Sequence, residues 1–210
     1  MPAWWPYALV VVAGVTATLA GEGTGRRAVV YVSKPLASAA FVALGWSLYA
    51  PPNPFGAWIV IGLLLSLVGD VCLMLPSGLR PGLVSFLAAH VAYVAGFHTV
   101  TPVHAWPFAL AVPFVAASVI VARWLWPHLG AMKAPVAAYM AVITVMVWGA
   151  ASVFAAGRIG WQAAAGALLF YLSDVSVARD RFVRRAFVNR AWGLPAYYAG
   201  QVLLALSMAR

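Results

Sequence analysis

The sequence predicts an all-α, polytopic membrane protein of eight transmembrane helices. Three observations carry that reading. Of 210 residues, 65% are hydrophobic and only 8% are charged, whereas soluble domains run near a quarter charged. The mean hydropathy is +0.94. Apolar runs of about 20 residues, the length that crosses a hydrocarbon core, recur eight times between Pro, Gly and charge breaks. The abundance of apolar and aromatic residues also excludes a disordered chain, which is defined by low hydrophobicity and high net charge. At this length, residues 1–210 read as a single transmembrane domain.

The runs follow in order. The first, Trp4–Ala20, has no basic stretch in Met1–Pro6 and no cleavage site after Ala20, so it is expected to be a membrane helix rather than a leader. Arg26 and Arg27 separate it from Val30–Tyr49, which stops before Pro51-Pro52. The third run, Phe55–Leu75, lies between Pro54 and Pro76, and Leu79–Val100 ends before Pro102. Ala105–Leu125, Pro135–Ala155, Gly160–Ala178 and Trp192–Met208 complete the set, and the short connections leave no room for an inserted soluble domain.

Thirteen Lys and Arg against four Asp and Glu give a formal charge of +9. The basic residues punctuate apolar runs instead of forming one patch, so they read as topology determinants and not as a nucleic-acid surface. Arg26, Arg27, Lys34, Arg80, Arg123, Lys133, Arg179, Arg181, Arg184, Arg185 and Arg190 fall on one side, with only Arg158 and Arg210 opposite. The positive-inside rule places the first group in the cytoplasm and both termini outside. Trp4, Trp5, Trp106, Trp124, Trp126 and Trp192, near run ends, read as an interfacial belt. The single cysteine, Cys72, forms no internal disulfide, and no Cys/His pair has zinc-ligand spacing.

The chain also repeats itself. Leu67-Val68-Gly69-Asp70-Val71 is echoed by Leu172-Ser173-Asp174-Val175, each Asp is followed 23 residues later by a tyrosine (Tyr93 and Tyr197), and Lys34-Pro35 is echoed by Lys133-Ala134-Pro135. An offset of four helices preserves direction across the membrane. The expectation is two parallel repeats, about 1–103 and 104–210, with a site at their interface.

Four acids narrow the search for chemistry. Glu22 and Asp180 lie in connections beside arginines, as solvated charges do, while Asp70 and Asp174 lie inside apolar runs about one turn from the cytoplasmic end. An intramembrane carboxylate faces a cavity or a partner and is a functional hypothesis by default. Two of them in a poorly hydrated pocket split their protonation states, the arrangement that acid–base hydrolysis needs; the alternative is that each only anchors its helix or pairs with Arg or Lys. Ser66 and Ser173 are candidate helpers or simply back-bonded small residues. His90 and Tyr93, at i and i+3, share a face from which they tune an Asp or hold a substrate. Lys34 is placed to snorkel to the interface and retain an anionic head group, or to act as a plain anchor, and Lys133 occupies the matching place. The Arg179–Arg190 cluster suits anionic lipid head groups or topology alone. His98, His104 and His128 read as solvated. No G-x-S-x-G elbow, P-loop or H-E-x-x-H motif is present.

Five motifs in order carry a resemblance. Ser66–Met74 (SLVGDVCLM), Phe86–Tyr93 (FLAAHVAY), Gly166–Asp174 (GALLFYLSD), Tyr197–Gln201 (YYAGQ), and Lys34-Pro35 with Pro135–Tyr139 (PVAAY) together resemble the YhhN-like lysoplasmalogenase family. The resemblance covers most of the chain from Lys34 onward. It implies a multi-pass hydrolase of the cell membrane, the inner membrane in a bacterium. Its substrate would be a lysophospholipid, lysoplasmalogen, whose vinyl-ether bond it cleaves to a fatty aldehyde and glycerophosphocholine or glycerophosphoethanolamine. It further implies Asp70 and Asp174 as the catalytic pair, with Lys34, His90, Tyr93, Tyr139 and Tyr197 as binding residues. One departure is Asp180 before Arg181-Phe182, where the family more often has a neutral polar residue. Vinyl-ether hydrolysis starts with protonation of an alkene carbon and passes through an oxocarbenium ion, so two carboxylates suffice without metal or cofactor. The competing readings are a proton-coupled lipid or small-molecule transporter and a lipid-binding scaffold in which the acids only hold helices together.

Overall fold

The computed structural model describes residues 3–209, so Met1, Pro2 and the expected extracytoplasmic Arg210 lie outside the described residues. Eight α-helices account for nearly all of it: α1 (Trp5–Thr24), α2 (Arg27–Leu48), α3 (Pro54–Met74), α4 (Leu79–Val100), α5 (Phe108–Leu125), α6 (Lys133–Ala155), α7 (Trp161–Ala178) and α8 (Phe187–Leu206). The protein is a polytopic membrane protein. Six helices, α1 to α6, are long and apolar enough to cross a membrane. Gln162 and Asp174 in α7, and Asn189, Arg190 and Gln201 in α8, dilute the hydropathy of the remaining two.

Local chemistry sets the boundaries. The α1 helix closes on Gly25 at φ +71°, a left-handed cap that glycine adopts without steric cost. The α3 helix opens on Asn53, whose side chain accepts the Gly56 N–H at 3.2 Å, with Pro54 pre-set in the first turn. Several boundaries differ from the sequence expectation, those of α2 and α8 among them. The α2 helix starts at Arg27, ahead of Val30, so its first turn is basic. The α8 helix starts at Phe187, ahead of Trp192, and runs through Pro195. After α7 the chain makes a single wide π-turn, Arg179–Val183; such turns are rare and cluster at functional sites.

Helix pairs α1/α2, α2/α3, α3/α4 and α2/α8 pack against each other, and so do α5/α6, α6/α7, α7/α8 and α6/α4. The α7 and α8 backbones approach closely: a Cβ added at Gly166 would stand 2.8 Å from the Gly200 carbonyl oxygen, and one at Gly200 would stand 2.9 Å from that of Gly166. Glycine here lets two backbones touch, the usual means of close packing where lipid supplies no hydrophobic drive. Large apolar side chains such as Val12, Val32, Val84, Phe108 and Ile120 point outward. Trp106 does not join the exposed belt expected of it. It is buried, its ring edge-on to Trp148 at 5.3 Å, with its indole N–H donated to the Thr101 carbonyl at 2.8 Å.

The connections α1–α2, α3–α4 and α7–α8 meet at one end of the bundle around the mouth of a cavity. The α5–α6 connection packs there too, Leu125 and Leu129 lying against Phe182 and Val183. A polar staple holds this end. Asn189, fully buried, donates to Asp180 (3.1 Å) and to the Arg184 carbonyl (2.7 Å) and accepts from Arg179 (2.7 Å). Arg190 pairs with Glu22 of α1 and with Asp180 at 3.3 Å. Glu22 and Asp180 are thus ion-paired rather than merely solvated. Burial by itself would raise the Asp180 carboxyl, but hydrogen bonds from Asn189 and the Ala186 N–H, together with Arg190, outweigh it and hold the group below its ordinary value.

Candidate functional site: two intramembrane carboxylates on one cavity

A cavity of about 690 Å³ opens between the helices at the basic end, and Asp70 and Asp174 both line it, as do Lys34, Tyr139 and Tyr197. Phe86 and Phe170 form its floor between the two acids.

The Asp70 side is closed by donors. Lys34 and Ser38 stand one turn apart on α2, the spacing that puts two side chains on one helix face. The Lys34 ammonium lies 3.0 Å from Asp70 Oδ1, the two side chains being 12% and 3% exposed. Oδ2 accepts from Ser38 Oγ at 2.7 Å and from the Tyr197 hydroxyl of α8 at 2.7 Å. Behind them, the Tyr198 hydroxyl donates to the Lys34 carbonyl at 3.1 Å. Both Asp70 carboxyl oxygens are thus engaged, one by a cation and the other by two hydroxyl groups. Lys34, expected from the sequence to snorkel to the interface or to act as a plain anchor, turns its ammonium to Asp70, because leaving either ion unpaired in a buried place is costly.

The Asp174 side is built differently. The Tyr139 hydroxyl of α6 donates to Asp174 Oδ2 at 2.8 Å. His90 Nε2, from α4, approaches the same oxygen at 3.6 Å. His90 is fully buried, and its Nδ1 lies 2.6 Å from the Phe86 carbonyl oxygen. A carbonyl only accepts, so Nδ1 carries the hydrogen and Nε2 of the neutral ring presents a lone pair. That Nε2 has no hydrogen-bond partner. At 3.6 Å the ring and the Asp174 carboxyl face each other without a hydrogen bond.

Of the residues proposed from sequence, the structure brings Lys34 and Tyr197 to Asp70, and His90 and Tyr139 to Asp174. Tyr93 goes elsewhere: its hydroxyl donates to Gln201 Oε1 at 2.7 Å, and Gln201 donates to Ser66 Oγ at 3.1 Å. Tyr93 and Ser66 therefore belong to a buried tie between α3, α4 and α8. Ser173 is back-bonded to the Phe170 carbonyl at 2.7 Å. Two ring contacts connect the acid sites, with Phe170 edge-on to Tyr197 at 5.3 Å and tilted against His90 at 4.4 Å between ring centroids. Sequence reasoning missed Ser38 and Tyr198. The signal for Ser38 was its place one turn after Lys34; that for Tyr198 was its adjacency to Tyr197.

Known proteins resemble this chain over the same helices. It is 36% identical over 151 residues to the human lysoplasmalogenase TMEM86B, covering 70% of this chain and 62% of that protein. It is 33% identical over 148 residues to the pig lysoplasmalogenase TMEM86B, again covering 70% and 62%. The chain thus spans less than two thirds of these relatives' length. The membrane protein YhhN of Escherichia coli O157:H7 is 27% identical over 183 residues, 85% of this chain and 86% of that one. No solved structure matches. Residues 29–208, which include both carboxylates and every helix that supplies them with a partner, match the YhhN family, and the chain is a member of it.

Proposed function

We propose that this protein hydrolyses the vinyl-ether bond of a lysoplasmalogen, releasing a fatty aldehyde and a glycerophospho-alcohol. The observation that carries the reading is the contrast between two carboxylates on one cavity: Asp70 is engaged by Lys34, Ser38 and Tyr197, while Asp174 faces the orphaned Nε2 of His90. The kinship with lysoplasmalogenases supports the substrate class.

The chemistry follows from that contrast. In this reading Asp174 enters the cycle as the acid, and its proton passes to the alkene carbon remote from the ether oxygen, leaving an oxocarbenium ion and an Asp174 carboxylate. Asp70, fixed and ionised, stabilises the cation electrostatically as it forms. Water adds to the carbon bearing the oxygen and returns its proton to the Asp174–His90 pair, giving a hemiacetal. Collapse of the hemiacetal moves its hydroxyl proton through the same pair to the glyceryl oxygen, so aldehyde and alcohol leave and both acids are restored. One water is consumed, and no electron acceptor is required.

The fold reading that goes with this function is eight crossings in two parallel halves. The α7 and α8 helices, at 18 and 20 residues, have lengths of roughly 27 and 30 Å at 1.5 Å per residue, and the helix-packing pattern repeats with an offset of four. The cavity mouth and its arginines then face the cytoplasm, with Arg158 and both termini outside.

The test is aldehyde release from a lysoplasmenyl lipid by detergent-purified protein, beside Asp70→Asn and Asp174→Asn and with an ester lysophospholipid as control. Each variant is expected to lose about 10²- to 10⁴-fold in kcat, the usual weight of positioned acid–base groups, while eluting and melting as a folded protein. Full activity in either variant, or no aldehyde from the wild type across several head groups, overturns the proposal. Proton flux into liposomes without turnover would instead favour a carrier.

A further inference from the structure

The mouth of the cavity carries more positive charge than its own acids neutralise. Arg27, Arg181 and Arg185 all line it. The two carboxylates at that level, Glu22 and Asp180, are both taken by Arg190. Among the described residues no carboxylate pairs with Arg27, Arg181 or Arg185; the one recorded bond of the Arg181 guanidinium is a 3.5 Å contact with the Leu73 carbonyl. Arg185 is close enough to Arg181 for the two charges to oppose each other. Like charges crowd at a cavity entrance at an energetic cost unless an anion joins them. Two guanidinium forks with free N–H groups match the oxygens of a phosphate. Below this ring the walls turn apolar, with Leu83, Leu87, Leu125, Met140 and Ile143. The combination of an anion seat above an apolar cleft fits a single-chain amphiphile.

The spacing agrees. Arg181 touches the carbonyl of Leu73, three residues past Asp70 on α3, which is roughly 5 Å along the axis at 1.5 Å per residue. The ether oxygen on one end of a glycerol and the phosphorus on the other are separated by five single bonds, a reach of roughly 6 Å at bond lengths of about 1.5 Å. A phosphate held at the arginines therefore sets the ether carbon at the level of the acids.

We infer that Arg181 and Arg185, with Arg27 across the mouth, seat the phosphodiester of a single-chain glycerophospholipid and thereby measure its ether bond into register with Asp70 and Asp174. The inference rests on the hydrolase reading for the purpose of the register, but the seat itself is testable without turnover. The probe is a saturated 1-O-alkyl lysophospholipid, which has no vinyl ether to cleave, beside a 1-O-alkylglycerol lacking phosphate. Binding of each to detergent-purified protein is measured for the wild type, for Arg181→Gln with Arg185→Gln together, for Arg27→Gln, and for Arg158→Gln at the opposite end as control. The double variant is expected to weaken alkyl lysophospholipid binding about tenfold or more, the worth of one or two charge-assisted contacts. Alkylglycerol binding stays unchanged, and KM for a lysoplasmenyl lipid rises with little change in kcat. Inorganic phosphate competes with the alkyl lysophospholipid in the wild type and not in the double variant. Equal binding by wild type and double variant, or equal loss of both probes, overturns the seat. Arginine-dependent binding by a wild type that releases no aldehyde overturns the hydrolase reading and leaves the seat standing; aldehyde release with unaltered KM in the double variant does the reverse.

Discussion

Asp70 and Asp174 occupy matching places in the two halves of the chain, yet their surroundings have diverged. Asp70 meets a lysine and a serine from the preceding helix and a tyrosine from α8. Asp174 meets a tyrosine from the preceding helix and a histidine from α4. Each acid is therefore completed by a helix of the other half. What differs is charge: one site carries a cation and two hydroxyl donors, the other a single donor and an unpartnered ring nitrogen. The comparison teaches that two carboxylates on one cavity are set apart by their neighbours.

That contrast can be broken at several points. The largest effect is expected from Lys34→Met, which leaves Asp70 buried without its cation and should cost about 3–5 kcal/mol of stability, read as a drop in the melting temperature in detergent. Adding Asp70→Asn to it should recover most of that loss; additive losses would mean that the ion pair is not the cause. Next comes His90→Phe, which keeps the aromatic contact with Phe170 and removes the nitrogen that faces Asp174. Its kcat should fall about 10²-fold and the pH–rate profile should lose a limb while melting stays within a few degrees. An unchanged profile would remove His90 from the chemistry. The tyrosines give a smaller and asymmetric pair. Tyr139→Phe takes away the one hydroxyl donor of Asp174 and should alter kcat about tenfold, whereas Tyr197→Phe leaves Asp70 with Lys34 and Ser38 and should cost only a few-fold; equal effects would erase the asymmetry between the sites. The smallest effect lies at the mouth. Asp180 is held below its ordinary value in the folded protein, so its contribution is full above the unfolded value of about 3.9 and is lost as pH falls through the folded one. The melting-temperature gap between wild type and Asp180→Asn should accordingly be constant near neutrality and narrow below about pH 4.

Much of this was legible in the sequence where the signal is local. Apolar runs located all eight helices, since hydrophobic length needs no knowledge of neighbours. The beginning of α8 was not legible, because Asn189 and Arg190 look like loop residues until their partners Asp180, Arg179 and Glu22 are known. The two acids stood out for the same local reason, being rare charges inside apolar runs. Their partners did not. The equal spacing from Asp70 to Tyr93 and from Asp174 to Tyr197 suggested equivalent roles, yet Tyr197 serves Asp70 in the other half and Tyr93 is claimed by Gln201. Spacing along a chain encodes direction across the membrane, whereas contacts between halves depend on which helices abut. The pairing of Lys34 with Asp70 was hidden for a related reason: a lysine near a helix end reads as a snorkelling anchor until a buried anion is known to lie within its reach.

The bond from Tyr197 to Asp70 joins residues 127 positions apart, and this has a consequence for biosynthesis. A chain made from its N-terminus delivers α2 and α3 in succession, so Lys34 and Asp70 can enter the bilayer as a neutralised hairpin long before α8 exists. Tyr197 arrives only with α8. Completion of the Asp70 site thus waits for that helix, and a polypeptide stalled after α7 would hold a cavity with both carboxylates present but with one of its walls, and the hydroxyl that meets Asp70, still to come.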